Sequence, residues 1–572
     1  VKGAFDAAWW PSVLNNLRDI RCPKNLYDLT RDYLHDRVAS IQINNYRVER
    51  TATKGCPQGS CCSPGLWNIM YNSLLNLCFS RHTKTIAFAD DIVLLTTGHT
   101  PTEAEVYANA DLAKIEKWAR DNKILFNDSK SKAMLITRKR KPKQINIYLN
   151  NRKLAIVEHI KYLGIHFDHK LSFDNHIDNI ARKSTTLIHM LGRTAKLTWG
   201  LGHKSLKTIY EGAIIPMIVY GAPVWGDALK KLANLRKLQR VQRLINIKMI
   251  KGYRTISFDA SCVIAGVPPI GLLIEEKIQL YRIKHNLERR ELEYETPNPP
   301  KKWPHPSQLV MINDKTDEIY PMEIYTDGSK IDGKVGAGVV IYVEKIMWKR
   351  LKYRLHPACS NNQAEAIAIL KSLEQLQTLT DYSNKGTKVA LHTDSKVTLA
   401  SLKNNSIHSP IIEEIRNKIR QLMETSWNID FGWVKAHVGI EGNEEADYLA
   451  KEAALDSELR IEYNKVPTTT LVSELKKATQ DKWQRQWETS QKGPKSRSFF
   501  PIIEQRLKLN IPIAPEITAT LTGHGLTKSY LHKFKIIEDP MCPCKLGEQT
   551  IDHLIHHERA DFNFVLQTNY ER

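Results

Sequence analysis

Between Pro297 and Pro306 five prolines fall within ten residues, as Pro297-Asn-Pro-Pro and Trp303-Pro-His-Pro. Each proline locks φ and removes a backbone donor, so neither a helix nor a central strand survives this stretch. The chain therefore has to fold as separate bodies on either side. Its 572 residues agree with this, since domains of roughly 100 to 200 residues imply three to five of them.

With 42% hydrophobic and 25% charged residues the chain can bury real cores, which excludes a collagenous, mucin-like or wholly disordered polypeptide. The charge is less ordinary. Lys and Arg number 83 against 62 Asp and Glu, and the resulting +21 points to a polyanionic partner, nucleic acid first. Nine cysteines (22, 56, 61, 62, 78, 262, 359, 542, 544) are odd in number and uneven in spacing, so a reducing compartment fits better than a disulfide framework. Residues 55–80 are uncharged and of membrane length, but Asn68, Asn72 and Asn76 line one helix face with amides. The uncharged runs 212–226 and 260–274 are broken by Pro216, Pro223, Pro268 and Pro269. No transmembrane helix is expected, and the opening Val1-Lys2-Gly3, with neither Met nor leader, is expected of a fragment.

Residues 230–258 hold nine basic residues and no acidic one, while Leu232, Leu235, Leu238, Val241 and Ile245 recur at helical spacing. One face of this helix packs, and Arg236, Lys237, Arg240 and Arg243 form a rail for a phosphate backbone, a solvated surface helix being the alternative.

Ile86-Ala-Phe88-Ala89-Asp90-Asp91-Ile92 sets two adjacent acids between apolar, strand-favouring runs and reads as a buried hairpin with carboxylates at its turn. Buried paired acids persist mainly where a divalent ion neutralises them. Upstream, Gly55-Cys-Pro57-Gln58-Gly59 is a turn that lets backbone approach a ligand. Downstream stand Asn127-Asp-Ser-Lys130-Ser131 and Tyr162-Leu163-Gly164. In that order these motifs resemble the palm of a non-long-terminal-repeat (LINE-type) retrotransposon reverse transcriptase. The resemblance implies that Asp90 and Asp91 hold catalytic Mg2+, Phe5 screens the sugar 2′ position, Gln58 and Gly59 border the template, and Lys130 assists proton transfer. Val1 to Asp6 resembles the end of the first palm motif, whose metal-binding Asp would precede Val1. The expectation is that this chain has no useful DNA-polymerase activity, and that dNTP binds only an intact polymerase.

Past the prolines, Ile324-Tyr-Thr-Asp327-Gly328 and Val389-Ala-Leu-His-Thr-Asp394 each end an apolar strand in an acid. Ser360-Asn-Asn-Gln-Ala-Glu365 reads as a capped helix start with Glu365 in its first turns, and Asn443 reads as the N-cap of a helix with Asp447 in its first turn. Taken singly, these acids are turn formers or solvated helix residues. Together, Thr-Asp-Gly-Ser, Asn-Gln-Ala-Glu, Thr-Asp-Ser and His437-x-Gly-Ile-x-Gly-Asn-x-x-Ala-Asp447 closely resemble a type 1 RNase H domain. That family implies a mixed five-stranded sheet with flanking helices, two Mg2+ held by Asp327, Glu365, Asp394 and Asp447, and a mobile loop histidine at His437. Gly328, Asn362 and Gln363 are placed to read the 2′-hydroxyls of an RNA–DNA hybrid.

Near the C-terminus, Cys542, Cys544, His553, His556 and His557 offer ligands for a small Zn2+ knuckle. The retrotransposon family often has Cys-x-Cys, His, Cys there, but Glu558 stands at the last position. His557 or His556 could take the fourth place, and two reduced cysteines beside a polar helix is the alternative.

The expected fold class is multidomain α/β and α+β. Its expected parts are a truncated palm over 1–175, a basic helical thumb or connection over 176–296, a proline-rich linker over 297–319 and an RNase H domain over 320–456. A helical or irregular connector over 457–540 and the tail over 541–572 complete it. The expected function is that of a retrotransposon replication protein that hydrolyses the RNA strand of hybrids, the alternative being a catalytically silent nucleic-acid-binding relic. Its partners would be hybrid, element RNA and target DNA, without a membrane, in the nucleus and in a cytoplasmic ribonucleoprotein.

Overall fold

The computed structural model describes residues 1–57, 59–137, 139, 143–194, 200–285, 287–288, 292–295, 305–312, 319–379, 387–405 and 409–556. They divide into two compact units, Val1–Arg182 and Lys183–Arg572.

In the first unit Pro64 opens a helix over Ser63–Leu75 whose Leu66, Trp67, Met70, Tyr71 and Leu74 fall at helical spacing and are buried. They pack with Val13, Leu17, Ile115 and Trp118, while Asn68, Asn72 and Asn76 face out as expected. Strands Thr83–Phe88 and Asp91–Thr96 pair antiparallel with Ala89 and Asp90 as a two-residue turn. The hairpin was expected to be buried, but Ile86 and Phe88 are 50% and 63% exposed. Ala87, Ile92 and Leu94, on the other pleat face, pack against the core, so the hairpin is covered on one side.

The second unit contains a seven-stranded sheet, in the order Met311–Ile312, Asn428–Trp433, Lys388–Thr393, Met322–Ile331, Lys334–Val343, Ile346–Leu355, Ile461–Tyr463. The middle five are the expected mixed sheet, and a short parallel strand extends each edge. One of these, Met311–Ile312, comes from the expected linker and pairs with Asp430 and Phe431. The prolines at 297–304 lie outside the described residues. Helices Asn361–Gln377 and Pro410–Glu424 bury Ile367, Ile369, Leu373, Ile415 and Ile419 against Ile324, Val339, Ile341, Leu391 and Phe431. Helix Glu441–Leu455 covers the opposite face of the same central strands, with Ala446 and Leu449 packed on Val340. It can lie so close because strand residue 338 is glycine, where a Cβ would stand 2.1 Å from the Ala446 carbonyl.

The basic helix spans Leu232–Met249, buries Leu238, Val241 and Ile245, and exposes Arg236 and Arg240. Its buried Gln242 donates to the Pro268 carbonyl (2.8 Å) and accepts from the Ile270 amide (2.7 Å), tying it to the start of helix Ile270–Lys284. The chain returns to this region after the RNase H-like part. Helix Thr468–Thr489 packs on Ile270–Lys284, with Thr479 donating to the buried Glu276 carboxylate at 3.0 Å and Lys482 paired to Glu275. Ser490 donates to Asp259 at 2.6 Å. The thumb and connector regions, expected in series, thus pack together as one helical body. Among the described residues no single helix is long and apolar enough to cross a membrane. The two bent helix pairs of suitable composition bury Tyr210, Ile218, Trp225, Cys262 and Ile274 within this body.

Candidate active site

Asp327 was expected to end its strand but sits mid-strand in Met322–Ile331, which runs on because residues 327–331 pair with 334–338 of the next strand. Asp394 does follow directly on strand Lys388–Thr393, which pairs parallel with Met322–Ile331. The acid of helix Asn361–Gln377, Glu365, enters from above. Ser360 and Gln363 close a reciprocal capping box that starts that helix where the sequence predicts. Ligating oxygens of Asp327, Glu365 and Asp394 lie within 4.8 Å of one another, and Asp447 is close enough to Asp327 to share a hydrogen bond. Four acids from four elements therefore meet at one site, beside the middle of one strand and the end of its neighbour.

Burial and mutual repulsion dominate their electrostatics. Burial, then the charges of Asp394 and Asp447, push the Asp327 carboxyl up to about 8, against the pull of the Gly328 amide. Burial and then Asp327 and Asp394 push Glu365 well above the carboxylate range. Asp394 is raised by burial and Asp447, while its own amide and His437 hold it down. Glu365 Oε2 is buried and finds no hydrogen-bond partner among the described residues.

Helix Glu441–Leu455 begins two residues before the expected cap, so Asn443 lies inside its first turn, 3% exposed, and Asp447 in its second. The preceding loop holds His437 in a left-handed conformation (φ 54°), with ligating atoms of His437, Glu444 and Asp447 within 4.8 Å of one another. The Lys451 ammonium is 2.5 Å from Asp447. Glu444 and Lys451 were not singled out from the sequence, although they stand three before and four after Asp447, on its helix face.

Three hybrid-reading candidates fare differently. Asn362 is exposed at the site. Gln363 is 4% exposed and fully engaged: its carbonyl accepts from the Ser360 amide (2.9 Å) and its amide donates to Glu295 (2.6 Å) and the Lys465 carbonyl (3.0 Å). It cannot contact a hybrid, because every polar atom is spent on the fold. Gly328 is buried too, since a Cβ there would meet the Glu365 backbone nitrogen at 2.3 Å; its residue type serves close helix–strand approach. On the basic helix Arg236 and Arg240 are exposed and Lys237 half-buried, whereas Arg243 donates to the carbonyls of Ile256 and Arg254 and holds a loop instead of presenting its charge.

In the first unit Asp91 is exposed and Asp90 half-buried, and among the described residues no third ligating side chain gathers with them. The turn is held from below: Trp67 donates to the Ala89 carbonyl at 3.1 Å, and the Phe5 ring lies 5.9 Å from Trp67. Gly59 is exposed at φ 85°, Lys130 is exposed on a turn closed by Asn127, and Gln58 lies outside the described residues. Cys542, Cys544 and His553 do converge, with Cys544 Sγ 2.9 Å from His553 Nε2. Burial raises the Cys542 thiol. His557 lies outside the described residues.

A mixed sheet whose strands and helices bring four acids together defines a carboxylate-dependent nuclease of the RNase H class. Residues 320–455 match the family model described as RNase H, and residues 1–167 match that of reverse transcriptase (RNA-dependent DNA polymerase). The chain thus carries a reverse transcriptase segment followed by an RNase H domain. It is 31% identical over 290 residues to a 115 kDa protein in the type-1 retrotransposable element R1DM of Drosophila melanogaster, covering 50% of this chain and 27% of that protein. It is 27% identical over 247 residues to the retrovirus-related Pol polyprotein from type-1 retrotransposable element R1 2 of Nasonia vitripennis, covering 42% of this chain and 60% of the relative. A solved structure of LC11-RNase H1 in complex with RNA/DNA hybrid is 28% identical, covering 23% of this chain and 96% of that one with a TM-score of 0.20.

Proposed function

We propose that this chain hydrolyses the RNA strand of an RNA–DNA hybrid at Asp327, Glu365, Asp394 and Asp447. The observation that carries it is their convergence, with Glu365 Oε2 buried and without a hydrogen-bond partner among the described residues, a donor set of carboxylate oxygens that suits a hard cation. Mg2+ held by these acids would supply an activated water and charge stabilisation for the departing 3′ oxygen. The chain's own groups do the rest. His437, in its exposed loop beside Asp447 and Asp394, is placed to carry a proton away from or towards the reacting phosphate. Asn362 is placed to meet a 2′-hydroxyl, and Arg236, Lys237 and Arg240 to meet phosphates of the bound nucleic acid, element RNA or target DNA. Such a role belongs in the nucleus and in a cytoplasmic ribonucleoprotein. At Asp90 and Asp91, with which no third ligating side chain gathers among the described residues, DNA synthesis by this chain is not expected in a primer-extension assay. Cys542, Cys544 and His553 form a donor set suited to Zn2+, which zinc quantification on purified protein tests.

The deciding experiment is Mg2+-dependent cleavage of a labelled hybrid by the intact chain and by Asp394→Asn. Cleavage by the first and none by the folded second is expected. Equal cleavage by the variant overturns the assignment, and no cleavage by either leaves the silent binding protein.

A further inference from the structure

The catalytic helix is held by a residue that lies outside the matched RNase H segment. Residues 293–295 run beside 463–466: Glu295 donates its amide to the Val466 carbonyl (2.9 Å), and the Val466 amide bonds the Glu293 carbonyl (2.8 Å). Thr468 donates to the Glu295 carbonyl at 3.1 Å. This pairing brings the Glu295 side chain, 6% exposed, under the start of helix Asn361–Gln377. There its Oε1 accepts from Gln363 Nε2 at 2.6 Å and from the Tyr463 hydroxyl at 2.8 Å. Burial raises the Glu295 carboxyl, and these two donors hold it down.

Gln363 and Glu365 are two positions apart, about 200° around a helix, so they face opposite sides of the same turn. On the Glu365 side the turn rests on Gly328, with no room for a Cβ between them. On the Gln363 side it rests on Glu295 and on the Lys465 carbonyl. Lys330 also holds the approach to the helix, donating to the carbonyls of Pro357 (3.1 Å) and Cys359 (2.7 Å). The first turn is thereby clamped between the catalytic strand and a buried acid from the helical body.

We propose that Glu295 is a positioning residue for the nuclease site, fixing Glu365 through Gln363 so that a metal-binding oxygen arrives at Asp327 and Asp394 already placed. The proposal rests on the hybrid-cleavage reading for its catalytic consequence. It makes that activity dependent on residues both before and after the matched segment, Glu295 and Tyr463.

The test uses the full chain with Glu295→Ala, Glu295→Gln and Tyr463→Phe. Glutamine keeps an acceptor for both donors, and the phenylalanine removes one donor only. Three quantities are read: Mg2+ affinity by calorimetry without nucleic acid, kcat and KM on a hybrid, and hydrogen exchange of the amides of residues 364–367. Glu295→Ala is expected to weaken Mg2+ binding about tenfold, the size of effect known for groups that orient metal ligands. It should lower kcat with KM for the hybrid unchanged, and speed exchange in that turn. Glu295→Gln should restore all three, and Tyr463→Phe should fall between. A folded Glu295→Ala protein with unchanged Mg2+ affinity, kcat and exchange overturns the proposal. If the alanine variant does not fold, Tyr463→Phe decides: unchanged values for it overturn the proposal, and weakened binding with faster exchange supports it. A wild-type chain that neither binds Mg2+ nor cleaves hybrid defeats the nuclease reading alone, and exchange at 364–367 still decides whether the clamp exists.

Discussion

The two acidic sites of this chain differ in how their carboxylates meet. Asp90 and Asp91 are neighbours in the sequence, so any turn brings them together, and theirs leaves Asp91 exposed and Asp90 half-buried. Asp327, Glu365, Asp394 and Asp447 are spread over four elements and meet only because the sheet order sets the 322–331 strand between the 388–393 and 334–343 strands. Water solvates the first pair, whereas burial and repulsion raise three of the second set. Proximity imposed by a fold at an electrostatic cost says more about function than proximity imposed by the peptide bond.

The largest expected effect separates the sites directly. Asp394→Asn should abolish hybrid cleavage, while Asp90→Asn should leave it unchanged, both scored on labelled hybrid in Mg2+. Loss of cleavage in Asp90→Asn would mean the two sites do not work independently.

Next in size is the pH dependence of the metal-free protein. The folded-state value for Asp327 is about 8, above the ordinary aspartate value near 4, so the fold holds a proton that the unfolded chain has released. The stability this proton confers is complete below about pH 4 and is lost as pH rises towards 8, by at most about 1.4 kcal/mol per pH unit for one proton. Hydrogen exchange of strand Met322–Ile331 in EDTA, corrected for the intrinsic rate, should report this fall. Mg2+ or Asp327→Asn should flatten it. A slope of opposite sign would show that the acids are not buried together.

A smaller effect is expected at Lys451, whose half-exposed ammonium sits on Asp447 and competes with a metal for it. Lys451→Met should lower the Mg2+ concentration for half-maximal cleavage about threefold, as befits a pair worth under about 1 kcal/mol. A raised requirement would instead make Lys451 part of the binding machinery.

What could be seen in the sequence follows the same division. The acids of the second site were visible because Asp327 and Asp394 each follow an apolar, strand-favouring run and Glu365 and Asp447 each follow a helix-start signal, and the Ser360–Gln363 capping box marks a helix start by residue type alone. Gln363 was misjudged because a polar residue beside a catalytic acid reads as a ligand contact until its partners are known. Glu295 was invisible: it stands 70 residues before Glu365, next to a proline cluster, and nothing local says that 293–295 pairs with 463–466. The two added edge strands and the packing of Thr468–Thr489 on Ile270–Lys284 are likewise long-range, and periodicity carries no information about which distant faces meet. Asn443 is a milder case, a good capping residue overridden because the helix starts two residues earlier, at Glu441.

The smallest expected effect returns to the exposed pair. Asp91→Asn removes one of two adjacent charges on a solvated turn whose backbone is held by Trp67 and Tyr71, not by the carboxylates. Its effect on stability should stay within about 0.5 kcal/mol, the range of surface substitutions that touch no packed or paired group. Chemical denaturation of the intact chain, followed at the transition of the first unit, measures it. A gain above about 1 kcal/mol would mean the two charges repel strongly through a poorly hydrated medium. In that event the turn is shielded from water, and the contrast with the Asp327 cluster becomes one of degree.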